Sequence, residues 1–206
     1  MKKLLLMLFV SVSVIAYSQK LKLISGDFSV LKNQSEVNVE LIFDSNVLFQ
    51  ADNLTEAQYL ENRKNDVLNN PKRTKEDWEK WIGEWKDFKE TKFMEKFLKG
   101  INHKSQKILF KNNSQSKYTL KVKTMWVYAG WSGGIMMQPA KLTSEIFLVE
   151  TDNPAVVLFR VDSPGIEGVG ISENPNSEYA MEYGRISVAY EKTGRLLWKA
   201  IAKQNK

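Results

Sequence analysis

The chain of 206 residues contains no cysteine and a single histidine, His103. Without thiols there is no disulfide framework, no thiolate metal site and no cysteine nucleophile. One histidine excludes the paired-histidine zinc motifs, and any Ser-His-Asp triad would have to run through His103. That residue stands in Gly100-Ile101-Asn102-His103-Lys104, a polar turn after a helix-like stretch. No GxSxG elbow accompanies it, and Gly130-Trp131-Ser132-Gly133 is only a fragment of one. Long apolar runs are missing too. The longest, residues 4–16, falls short of the roughly 20 residues that span a bilayer.

Phosphate-binding signatures are equally absent. Gly130, Gly133 and Gly134 lack the Gly-Lys-Ser/Thr that completes a P-loop, and so do Gly165, Gly168 and Gly170. The formal charge is +6, but acidic and basic residues are mixed along the chain, which argues against nucleic acid as a partner. No motif implies a cofactor or a metal.

What is present begins with an address. Lys2 and Lys3 precede the apolar run, and Ala16-Tyr17-Ser18 supplies small residues at the two positions a signal peptidase reads. Residues 1–18 therefore read as a signal peptide, Gln19 as the new N-terminus, and residues 19–206 as one domain. The expected location is periplasmic or secreted, with no stable membrane span after cleavage. A domain of this size without disulfides relies on its hydrophobic core.

Period-two alternation predicts strands over residues 20–30, bent at Gly26, and over residues 36–43, where Val37, Val39, Leu41 and Phe43 share a face. Two helices follow. Thr55 with Gln58 forms a capping-box pattern, and Asn69-Asn70-Pro71 ends that helix. Thr74 starts the second, with Trp78, Trp81 and Trp85 on one stripe and Gly100 as its stop. A strand is expected over residues 105–110, then a hairpin over 120–150, then a strand over 155–161. Residues 163–173 read as a loop. Asn174-Pro175 reads as the N-cap of a C-terminal helix that Gly184 and Gly194 weaken. Strands and helices are grouped, so the fold class is α+β: an antiparallel sheet of about five to six strands, covered by two helices after the first strands and one at the C-terminus.

The hairpin is the centre of this scheme. Leu120, Val122, Thr124, Trp126 and Tyr128 alternate with Lys121, Lys123, Met125 and Val127, and the arm runs into a glycine-rich connection. Trp126, Tyr128, Trp131 and Met136 are the candidate ligand-binding residues, because aromatics and methionine beside a glycine-rich loop suit a binding lip. The competing reading puts Trp126 and Tyr128 under the helices. The Trp78, Trp81 and Trp85 stripe reads as core.

The leader, Gly26-Asp27-Phe28 before Val37-Asn38-Val39-Glu40, the tryptophan helix and the ending Gly184-Arg185-Ile186…Ala189-Tyr190…Thr193-Gly194 together resemble uncharacterised exported single-domain proteins of Bacteroidetes. The resemblance covers most of the mature chain. It implies export and one compact domain, and no activity or site residues. The expectation is an exported non-enzymatic domain that binds a ligand or an envelope partner: protein, peptide or carbohydrate. Two alternatives stay open. One is a carboxylate-dependent hydrolase of envelope glycans, using acids such as Glu40, Asp44, Glu145 or Glu150 across a cleft. The other is a structural or assembly subunit.

Overall fold

The structure of the protein, a computed structural model, describes residues 21–105, 107–133, 136–169 and 181–205. The signal peptide and the N-cap at Asn174 lie outside the described residues. The chain runs β1 (Lys22–Gly26), a 3-10 turn (Phe28–Leu31), β2 (Glu36–Ile42), β3 (Leu48–Phe49) and α1 (Glu56–Leu68). Next come α2 (Lys75–Asp87), a π-helical turn (Phe88–Lys92), α3 (Phe93–Asn102) and β4 (Leu109–Asn112). It finishes with β5 (Tyr118–Tyr128), β6 (Trp131–Gly133), β7 (Met136–Gln138), β8 (Ala140–Glu150), β9 (Val157–Gly168) and α4 (Glu182–Gln204).

Seven strands form one sheet in the order β1-β9-β8-β5-β2-β4, with β3 pairing β5 further along than β2 does. The chain is α+β, but its sheet is mixed, which corrects the antiparallel sheet of five to six strands. β5, β8, β9 and β1 are antiparallel neighbours. β2 runs parallel to both β4 and β5, and β3 runs parallel to β5. The cause is the placement of α1, α2 and α3 between β2 and β4: a helical crossover returns the chain in its original direction. β9 is also longer than expected, since residues 163–168 continue the strand instead of opening a loop.

The expected capping box forms at Thr55, and Thr74 makes a second one. Thr55 Oγ1 accepts from the Gln58 amide at 3.3 Å and Gln58 Oε1 accepts from the Thr55 amide at 2.9 Å. Thr74 and Asp77 repeat the arrangement at 3.3 and 2.8 Å. From Thr74 the chain stays helical through the π turn to Asn102, so Gly100 is not the stop. Asn102 closes the end by pairing its side-chain amide with the backbone of Phe110 on the edge strand β4, at 2.8 and 3.0 Å.

The tryptophan stripe packs inward. Trp81 and Trp85 are buried and stack in parallel 5.8 Å apart, within a cluster that includes Phe43, Phe49, Tyr59 and Phe93. Their indole N–H groups meet carboxylates: Trp85 donates to Glu56 at 2.9 Å and Trp81 to Glu182 at 3.1 Å. A buried indole needs such a partner, because an unmet donor in the core costs about 1–3 kcal/mol. On α4, Tyr190 stacks on Phe93, and its hydroxyl bonds Thr124 of β5 at 2.6 Å. Burial pushes the Tyr190 phenol well above its ordinary pKa.

α4 is continuous from Glu182 to Gln204, and neither Gly184 nor Gly194 breaks it. Gly194 serves contact instead. A Cβ there would lie 2.5 Å from the Phe97 carbonyl oxygen, and one on Gly100 would lie 2.0 Å from that of Glu191. The two helices thus cross backbone to backbone, which only glycine allows. Gly83 differs: it is exposed within α2, and a Cβ there meets nothing within 4 Å. Gly100→Ala is expected to lower unfolding free energy by about 1–3 kcal/mol through overpacking. Gly83→Ala should raise it by roughly 0.5–1 kcal/mol through helix propensity. Urea denaturation of the two variants checks the opposite signs.

Beside that crossing, Glu191 accepts hydrogen bonds from Lys99 at 3.3 Å and from Arg195. Burial works to raise its pKa, but the Arg195 guanidinium and the Lys99 ammonium outweigh burial and hold it below the ordinary value. A carboxylate lowered in the folded state stabilises the protein above its unfolded pKa and loses that contribution as pH falls through the folded one. From about pH 5 down to about pH 3, the Tm of Glu191→Gln should therefore fall less steeply than that of the wild type.

Candidate binding site on the open sheet face

The helices cover one face of the sheet and leave the other to solvent. Before its bulge, β5 sends Leu120, Val122 and Thr124 into the core and Lys121 and Lys123 outward. The register with β8 then slips by one residue between Thr124 and Trp126, at Met125. Because side chains alternate with period two, one extra residue exchanges the faces. Beyond the bulge Val127 and Ala129 are the buried residues, and Trp126 and Tyr128 turn to the open side. The pairing of β3 agrees: exposed Leu48 lies beside Trp126, and buried Phe49 beside Val127. This corrects the grouping of Trp126 and Tyr128 with Leu120, Val122 and Thr124.

The irregularity crosses the sheet. β8 and β9 shift register between Leu142 and Ser144, opposite Gly165, which has φ +55°. Thr143 Oγ1 accepts from the Gly165 amide at 3.0 Å, closing the gap in the ladder. A crease thus runs through Met125, Thr143 and Gly165. Beyond it the hairpin leaves the main sheet as the two-stranded ribbon β6–β7. Gly130 makes the turn into the ribbon with φ +67°, where a Cβ would strike the Gln138 carbonyl oxygen at 2.4 Å.

Three aromatic residues meet past the crease. Trp126 and Tyr128 lie with ring centroids 6.2 Å apart and planes 12° from parallel. Trp126 is fixed by donating its indole N–H to the Gln50 carbonyl oxygen at 2.9 Å. Trp131 sits across the ribbon from Gln138 and is 45% exposed. Its indole N–H donates to Gln138 Oε1 at 2.9 Å, and the Tyr128 hydroxyl donates to the same oxygen. Gln138 therefore ties the exposed tryptophan to the strand pair.

Polar residues border the rings. Lys141 is the cross-strand neighbour of Tyr128 and forms an ion pair with Glu167 at 3.8 Å. Thr143 is the neighbour of Trp126. Further along the same face the charges are paired: Lys121 with Glu40 at 3.3 Å and Arg160 with Glu145 at 2.6 Å across strands, and Lys123 with Asp44, just past β2, at 3.9 Å. Exposed pairs of this kind contribute roughly 0–1 kcal/mol each. They make an ordinary solvated sheet surface, on which the aromatic group is the exception.

The structure thus brings Trp126, Tyr128 and Trp131 together. Met136 lies opposite Gly133 in the ribbon, and its side chain is outside the described residues. Gln138, which joins the group, was missed because a lone glutamine in a strand carries no sequence signal. The Met125 bulge had a weak one: outward lysines at 121 and 123 give way to apolar Val127 and Ala129 at the same parity. His103 is exposed in the turn after α3. Among the described residues no cluster of three or more His, Cys, Asp or Glu side chains could hold a metal. No protein-family model matches the chain, and no curated protein is similar to it.

Proposed function

We propose that the protein is an exported, non-catalytic binding domain that takes a carbohydrate chain on the aromatic platform of Trp126, Tyr128 and Trp131. One observation carries this reading: the bulge at Met125 turns two large aromatic side chains out of the core and onto the open face, where a third is tethered to them. Leaving these rings half-buried or exposed forgoes part of the roughly 1.5–3 kcal/mol that full burial of such a side chain supplies. The arrangement suits a ligand that restores that burial.

The ligand class follows from the neighbours of the rings. Sugar rings present a C–H face that packs on an aromatic ring, and hydroxyls at the rim that need donors and acceptors. The Gln138 amide, the Thr143 hydroxyl and the Lys141–Glu167 pair supply both beside the platform. An open aromatic surface fits a chain better than a single small molecule, which would seek a concave site. Export is supported by the basic, apolar and small-residue order of residues 1–18. No helix among the described residues is long and apolar enough to cross a membrane.

Glycan-array screening followed by calorimetry tests the reading. Trp131→Ala should weaken binding of the selected glycan by about 30-fold, as expected for an exposed aromatic anchor. Its unfolding free energy should stay within roughly 0.5 kcal/mol of the wild type. Absence of glycan binding, or unchanged affinity in Trp131→Ala, would defeat the proposal.

A further inference from the structure

The second half of α4 is basic. From Lys192 to Gln204 the helix carries Lys192, Arg195, Lys199 and Lys203 and no acidic residue. These positions follow one another by three or four, so they form one stripe with a cation on each turn of about 5.4 Å. Arg195, Lys199 and Lys203 are exposed, and Lys192 is half-buried. The end of α3 brings Lys99 and Lys104 up beside the stripe. Lys99 and Arg195 share the Glu191 carboxylate, yet their side chains remain 64% and 49% exposed. Lys104, Lys192, Lys199 and Lys203 have no ion pair among the described residues.

Where α3 ends against α4 there is a hollow of about 150 Å³, lined by Gly100, His103, Lys104, Arg195, Trp198 and Lys199. Three of these side chains are cations, and no carboxylate joins them among the described residues. Trp198 packs edge-on to Phe110 with ring centroids 6.4 Å apart, and it makes no hydrogen bond among the described residues. Folding does not call for this arrangement. Like charges three or four apart on a helix repel one another. The helix dipole favours cations only in the last turn, which here holds Lys203, whereas Lys192, Arg195 and Lys199 lie further back. A polyanion laid along the stripe offsets the repulsion and gains from the counterions it releases.

We infer that the stripe binds an anionic polysaccharide, with successive acidic sugars on successive turns of α4 and one acid group seated in the hollow. The shape of the positive surface selects this occupant. It is confined to α4 and the end of α3, while α2 in the same helical layer exposes Glu76, Glu79 and Asp87. A flat anionic bilayer laid over the layer would meet those carboxylates, and a single chain can follow the stripe alone. Single-stranded nucleic acid would call for exposed rings along its track, and the hollow offers only the half-buried Trp198. This inference does not rest on the aromatic platform, which lies on the other face of the sheet.

The test is calorimetric titration at low salt with four probes: an oligogalacturonate, a neutral gluco-oligosaccharide of equal length, phosphatidylglycerol vesicles and oligo(dT). The oligogalacturonate should bind most tightly, and its affinity should fall as salt is added. The triple variant Lys104→Gln, Lys192→Gln and Lys199→Gln should weaken that binding by about 30-fold and flatten its salt dependence. Lysine and glutamine have similar helix propensities, and none of the three lysines holds an ion pair, so the fold is retained. The same charge change placed on α2 and the turn before it, Lys72→Gln, Lys80→Gln and Lys86→Gln, should leave the affinity within about threefold. The inference falls if the oligogalacturonate does not bind, or if the neutral oligosaccharide binds as tightly. It falls equally if the vesicles or oligo(dT) bind more tightly, or if the two triple variants weaken binding alike.

Discussion

One extra residue at Met125 governs what each face of the sheet carries. β5 is the strand on which β2, β3 and β8 all pair, so its register is imposed on its neighbours. Without the slip, Trp126 and Tyr128 would follow Thr124 into the space under α4, and Val127 would face water. That space is tightly filled: Ala129, Ala140, Leu142 and Ala189 are all fully buried or within 1% of it. Two large rings could not enter it without displacing the helix. The bulge resolves the conflict between a long strand and a shallow core by changing which residues are offered to each side.

The shallowness has its own cause. At the α3–α4 crossing the two backbones approach through Gly100 and Gly194, and Gly168 plays the same part where β9 meets α4, with a Cβ there 2.1 Å from the Arg185 carbonyl oxygen. α4 is therefore pressed against both its helical neighbour and the sheet. Small polar residues fill the narrow gap: Thr124, Ser144 and Ser163 lie in one row across β5, β8 and β9, and all three are buried. Tyr190 satisfies Thr124, while the hydroxyls of Ser144 and Ser163 have no partner among the described residues. Each unmet hydroxyl costs about 1–3 kcal/mol. Burial of the aromatic cluster under α2 and α3 is the large favourable term that such a row has to draw on.

Local signals were legible wherever they were complete within a few residues. Thr55 with Gln58 and Thr74 with Asp77 form capping boxes whose partners are three positions apart, so both helix starts could be read. The inward stripe of Trp81 and Trp85 follows from helical period alone. Features set by tertiary contact were not legible. Gly100 and Gly194 look like a stop and a weak point because glycine lowers helix propensity, but each is required by a helix distant in sequence. The parallel pairing of β2 with β5 depends on how the three-helix crossover returns. The bulge could not be read from alternation because tryptophan, tyrosine and threonine are all tolerated on either face of a strand. The unmet Tyr59 hydroxyl gave no signal, since its burial exists only once the helices have packed on the sheet.

Arg185 joins these features at one end of the molecule. It is 3% exposed in the first turns of α4, and its guanidinium donates to the carbonyl oxygens of Ala129 and Gly130 at 3.3 Å each. Burial lowers its pKa, and the nearby Glu182 carboxylate opposes that shift. A buried cation is tolerated only where its hydrogen bonds are met, and here they are met by the backbone that leads from β5 into the ribbon. The residues on either side of those two carbonyls are Tyr128 and Trp131. The strand end that carries Tyr128 and Trp131 is thus held from behind by a side chain rooted in the helical layer, and the binding proposed there would cost less entropy than on a loose loop. The same Arg185 lies among the charges around the buried Tyr59 phenol, so the brace belongs to an electrostatic neighbourhood that reaches α1.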